Sequence, residues 1–276
     1  MKTISELKKN HVIVFAIMVI LILKLLTTTF ATMLRYLTPI DLTTNFGFML
    51  VEFTVFLVAL FLIHITSQKQ VLKQGFTGFL KSLWSGMVFF GIAALGYMVF
   101  MMEGITNNAE YKSFPEILCF ILFVLLVGLA EEFIFRGIIT DSILQRFGHS
   151  TVGIVFTVIS SSILFGLFHF FNFFSGQALE ETFVQIIATS MTGCLLGAIY
   201  VRHKNIYAVA FLHAILDFTT MFERGFLKGN SIQYENIAVD FVPRLIQALK
   251  SQSVFVIAAI FVLRPKILKT LVRESR

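Results

Sequence analysis

The chain has 276 residues, 57% of them hydrophobic and only 14% charged, with a mean hydropathy of +0.86. An ordinary soluble domain is about one quarter charged, so this composition excludes a soluble globular fold. The formal charge of +6 would suggest nucleic acid in a soluble protein; here it reads as lysine and arginine sorted onto loops beside a membrane, and no nucleic-acid partner is expected.

In chain order, the basic flank "MKTISELKKN" precedes a first apolar run without a small-residue cleavage site, which predicts a retained first helix. Apolar runs place spans at roughly 11–34, 45–65, 80–101, 116–135, 152–172, 183–201, 205–222 and 252–264, the last being short. The expectation is an all-α polytopic membrane helix bundle of about eight transmembrane helices. Residues 1–276 read as one membrane-embedded domain: N-terminal helices over 1–110, a core over 111–222, and a C-terminal loop and helix over 223–276. Cys119 and Cys194 sit inside apolar runs, so no disulfide framework is implied.

Lys8, Lys9, Lys69, Lys73, Lys81, Arg146, Arg202, Lys204 and the C-terminal basic residues fall on one side of these spans, and most of the acids fall on the other. By the positive-inside rule both termini are cytoplasmic, in what reads as a prokaryotic plasma membrane. The lipid bilayer is thus the first partner expected.

Few ionisable residues lie inside the spans. Lys24 reads as snorkelling or pairing with Glu52, and His149 and His203 as solvated beside basic loops. The other six lie in three short segments: "AEEFIFRG", "FGLFHF" and "FLHAILDF". Arg136 follows Glu132 by four residues, so the two share a helix face and can pair. Glu131 points about 100° away, towards a different neighbour. His213 and Asp217 are also four apart, so the carboxylate can orient the imidazole. Stability is a poor reason to bury so many charges, because desolvation offsets most of what an ion pair contributes.

Two histidines and three carboxylates from three helices suit an active site buried among the C-terminal helices. Neighbouring carboxylates in low dielectric do not ionise together easily, which suits general acid–base work on a water aimed at a carbonyl. The same side chains also allow a single zinc on Glu131, His169 and His213, although no HExxH helix is present. No GxSxG elbow occurs, and neither cysteine is beside these segments. Transporters and proton relays also bury such groups, and a non-catalytic immunity or scaffold protein is a third class.

"EEFIFR" (Glu131 to Arg136), "FGLFH" (Phe165 to His169) and "HAILD" (His213 to Asp217) resemble, in order, the EExxxR, FxxxH and HxxxN/D motifs of the CAAX-protease and bacteriocin-processing family of intramembrane endopeptidases. The resemblance covers roughly residues 116 to 222. It implies hydrolysis of a membrane-associated peptide or protein by a water activated by Glu131 and His169. Glu132, Arg136, His213 and Asp217 would then position groups and stabilise the oxyanion. The family has been described both with zinc and as glutamate-dependent without metal, and the metal-free form is favoured. Asp217 stands where prenyl-protein-processing members commonly carry asparagine, which favours peptide-signal processing or bacteriocin self-immunity. Depth is the one tension: at ~1.5 Å per residue, His213 lies about 12 Å and His169 about 27 Å from the basic face.

Overall fold

The computed structural model describes residues 2–107, 110–233 and 240–274. Helices dominate them, with one isolated bridge, Tyr111 to Leu227, outside. A short α1 (Lys2–Asn10) leads into α2 (Val12–Leu37) and α3 (Asn45–Ile65). A 3-10 turn at Lys69–Lys73 and α4 (Phe79–Ser85) then precede α5 (Met87–Asn107). Next comes α6 (Phe114–Glu132), which runs without a break through a π-helical stretch, Phe133–Thr140, into α7 (Asp141–Phe147). After α8 (Thr151–Phe168) and a 3-10 stretch, His169–Ser175, come α9 (Leu179–His203), α10 (Ile206–Thr220) and α11 (Phe222–Phe226). The chain closes with α12 (Phe241–Val262) and α13 (Pro265–Glu274).

Apolar length sets the helices, and polar residues at their starts set the ends. Thr44, Ser150 and Asn205 each accept a hydrogen bond from a backbone N–H in the first turn of α3, α8 and α10, satisfying donors that a helix start otherwise leaves open. At α6 the Glu116 carboxylate reaches back to the Ser113 N–H at 3.1 Å.

Among the described residues, six helices are long and apolar enough to cross a membrane, or seven if α4 and α5, bent by 61° at Gly86, count as one. Two boundaries differ from the sequence reading. The final span is a full helix, Phe241–Val262, beginning well before residue 252. The short one is α10, with 15 residues. It can be short because it starts beneath a covering layer formed by residues 68–85.

That layer is held by side chains whose spacing carries no period. Asn205, fully buried, donates to the carbonyls of Gly75 and Thr77, and the Ile206 N–H donates to Gln74 Oε1 at 2.7 Å. The Tyr207 hydroxyl donates to the Leu72 carbonyl at 2.9 Å. His203, expected to be solvated, lies 2.8 Å from the Ser85 hydroxyl. In the turn "RHKN", Arg202 and His203 are half-buried, Lys204 is exposed and Asn205, at the start of α10, is buried. Despite the depths counted along their helices, His169 and His213 both pack on the Phe165 ring.

The long α6–α7 helix is the axis. Its α6 part packs against α3 and α10, and the π-helical stretch touches α2, α3, α8, α9 and α10. Gly128 makes one of these approaches possible, since a Cβ there would overlap the Ala210 carbonyl of α10. Gly166 does the same between α8 and α9, where a Cβ would overlap the Ile186 carbonyl. Both cysteines are free.

Candidate active site

Glu131 and Glu132 end α6, and the π-helical stretch begins immediately after them. In that wider turn the Thr140 hydroxyl donates to the carbonyl of Phe135, five residues back, at 2.7 Å. Arg136 lies in the same stretch, and its Nη1 donates to Glu132 Oε1 at 2.7 Å, both side chains being essentially fully buried. Its Nη2 donates to the Gly193 carbonyl of α9 at 3.2 Å. Such a pair can stay in a low-dielectric interior because each charge answers the other, with a further bond from Arg136 to the Gly193 carbonyl, although Glu132 Oε2 stays without a hydrogen-bond partner. The pairing of Glu132 with Arg136 expected from the four-residue spacing is present.

His213 of α10 stands between the two glutamates. Its Nδ1–H donates to Glu132 Oε1 at 2.9 Å, and its Nε2 lies 3.8 Å from Glu131 Oε2 and 3.5 Å from Asp217 Oδ2. The 100° between adjacent helical residues was expected to send Glu131 to a different neighbour. Both glutamates instead reach the same imidazole, one at each ring nitrogen. With acceptors at both nitrogens, His213 is placed as a donor in two directions. Glu131 Oε2 and Asp217 Oδ2 are buried without a hydrogen-bond partner, so two acceptor atoms stay open beside one ring.

His169 comes from the third segment, at the junction of α8 with its 3-10 extension. Its Nδ1–H donates to the Phe165 carbonyl at 3.0 Å. A carbonyl can only accept, so this bond leaves Nε2 as the lone-pair nitrogen of the neutral ring. Phe165 is the common neighbour: its ring meets His169 edge-on at 5.1 Å and His213 at 5.6 Å, and the Arg136 guanidinium lies over it at 4.7 Å. A phenylalanine four residues before the histidine thus has a physical use here. It fixes both imidazoles while excluding water from the ion pair.

Sequence reasoning misplaced one acid. Lys24 was expected to snorkel or to pair with Glu52 of α3. Lys24 instead extends over the Phe171 ring, 5.3 Å from its centroid, and no ion pair joins the two among the described residues. Phe48 packs on Phe123 and Phe56 on Phe133, so the Phe48–Glu52–Phe56 stripe of α3 faces α6. Glu52 lies close enough to Glu131, Asp217 and His213 to interact with them electrostatically. Four carboxylates therefore surround His213, three without a cationic side chain of their own.

Residues 113–219 match a family model described as type II CAAX prenyl endopeptidase, Rce1-like. Over those residues the chain is similar to that family. The match includes Glu131, Glu132, Arg136, His169, His213 and Asp217, whereas Glu52 lies outside it. No curated protein and no solved structure matches the chain. Within the described residues, no three histidine, cysteine, aspartate or glutamate side chains are arranged to hold one metal ion. No step below runs through a metal.

Proposed function

We propose that the Rce1-like domain hydrolyses a peptide bond of a membrane-associated peptide or protein, using a water held between Glu131 and His169. The carrying observation is the meeting of three helices at His213, where Glu131 Oε2 and Asp217 Oδ2 are buried and open. Glu131 accepts the water proton as the oxygen attacks the carbonyl carbon. His169, with Nε2 as its lone-pair nitrogen, orients that water. The oxyanion forms next to His213 and draws on its Nε2–H, while Asp217 holds the ring. Glu132 and Arg136 act one step back: the carboxylate fixes His213 through Nδ1, and the guanidinium balances that carboxylate. The proton on Glu131 then passes to the leaving amine.

An aspartate at 217 adds an acceptor beside His213, where asparagine would add a donor. That difference favours unprenylated peptides of the signal-processing or bacteriocin-immunity kind over prenylated proteins. The test is cleavage of a panel of lipidated and unlipidated membrane peptides by purified protein, with and without a strong chelator. Wild type should cleave in chelator, and Glu131→Ala and His169→Ala should not. Cleavage abolished by chelator and restored by zinc would overturn the metal-free step. Cleavage persisting in both variants would move the active site elsewhere. A physiological phenotype kept in Glu131→Ala would favour a scaffold, and ion flux in proteoliposomes a transporter.

A further inference from the structure

Away from the acid–imidazole cluster, the end of α3 and the 3-10 turn Lys69–Lys73 border an open cavity of about 420 Å³. Leu60, Ile63 and Leu72 give it apolar walls, while His64, Lys69 and Lys73 supply its polar groups, with no carboxylate among them. Lys69 and Lys73 are exposed, and neither joins an ion pair among the described residues. Immediately after them Phe76 is 89% exposed, and Leu80 and Trp84 are each 77% exposed. Large apolar side chains spaced four apart beside lysines are what a membrane interface accommodates: rings and aliphatic groups turn to the acyl region, ammonium groups to the headgroups.

We propose that this cavity binds an anionic phospholipid, its phosphate on Lys69 and Lys73 and an acyl chain along Leu60 and Leu72. Free phosphate would leave the apolar walls uncovered, and a zwitterionic lipid would bring a cation towards the lysines. An acidic peptide would lay backbone amides against walls that offer them no partner. The site is wired to the Rce1-like domain. The Leu72 carbonyl accepts from Tyr207 and Gln74 Oε1 from the Ile206 N–H, both in the first turn of α10, which carries His213 and Asp217. A bound lipid would therefore steady the start of that helix.

The full-length protein, reconstituted in phosphatidylcholine nanodiscs, is titrated with fluorescent phosphatidylglycerol. Saturable binding is expected, about thirtyfold weaker in the Lys69→Ala/Lys73→Ala double variant, as two surface-lysine contacts imply. Both lysines are exposed, so the double variant should keep its melting temperature, which reports folding independently. Lys8→Ala/Lys9→Ala, removing cations that line a separate cavity with Arg146, should bind as wild type does. Unchanged binding in the Lys69/Lys73 variant, loss in the Lys8/Lys9 variant instead, or full competition by glycerol phosphate would each overturn the proposal. Peptide cleavage enters none of these readouts, so the lipid site stands or falls independently of the proposed hydrolysis.

Discussion

Two glutamates adjacent in sequence are asked for different things by their surroundings. Glu132 holds Arg136 and His213 through Oε1, at 2.7 and 2.9 Å, whereas Glu131 only approaches His213, at 3.8 Å; each glutamate keeps Oε2 buried without a hydrogen-bond partner. Replacing Glu132 with glutamine should leave a buried guanidinium poorly answered and lower stability by about 3 kcal/mol or more, read as a fall in the unfolding midpoint in detergent. Glu131→Gln should leave that midpoint nearly unchanged while reducing cleavage by at least ~10²-fold, the range for a lost general base. Equal destabilisation in the two variants would mean that both residues are structural. Glu52 gives a third case, because it faces the same cluster from outside the matched domain. Glu52→Gln should reduce kcat about tenfold, the equivalent of ~1.4 kcal/mol in the transition state, with KM little altered. Retention of full kcat would reduce Glu52 to a bystander. The sequence exposed the acids and histidines because such residues are rare in apolar runs, but it gave no register between α3 and α6. Attraction of Glu52 to the nearest lysine was therefore the simplest reading, and it was mistaken.

Among the elements, long apolar runs announced themselves, while the pieces that adjust depth and direction did not. The spans over α2, α3, α6, α8 and α9 follow from uninterrupted hydrophobicity. The π-helical stretch Phe133–Thr140 has no composition that marks it, since its extra residue per turn is imposed by packing against five other helices. The layer of residues 68–85 was equally hard to read, being made of short turns fixed by side-chain bonds to partners more than a hundred residues away. Asn205 is its fastening point: Oδ1 caps α10, and Nδ2 holds the Gly75 and Thr77 carbonyls. Asn205→Ala removes all three bonds and should destabilise the protein by about 2 kcal/mol. The layer should also open locally, with faster amide hydrogen exchange across residues 70–78 than across α6. Exchange that rises equally everywhere would show that the layer has no separate hold on α10.

At the scale of the whole molecule, charge asymmetry has to agree with a path of helices that are not all simple crossings. If α4 with α5 makes one bent crossing and α10 one short crossing, eight segments return the C-terminus to the side of the N-terminus. The same count puts α1, Lys69, Lys73, Arg146, Lys204 and α13 at one end of the bundle. At that end Lys204 pairs with Asp141 at 2.9 Å, and Arg202 donates to the Val262 carbonyl at 3.1 Å. The opposite end closes differently. The Lys112 N–H donates to the Phe226 carbonyl and the Lys228 N–H to that of Glu110, tying the start of α6 to the segment after α11. On the positive-inside rule, the expectation is that the lysine-rich end, with both termini, faces the cytoplasm. Single cysteines at Lys9, Lys73 and Lys266 should label with a membrane-impermeant maleimide only after the cells are opened, and one at Lys228 should label in intact cells. Introduced into a variant with Cys119 and Cys194 replaced by alanine, these positions give a clean signal. Labelling of Lys73 and Lys228 from the same side would mean that α4–α5 or α10 re-enters without crossing. If α10 is the one that re-enters, His213 would hang from a re-entrant segment.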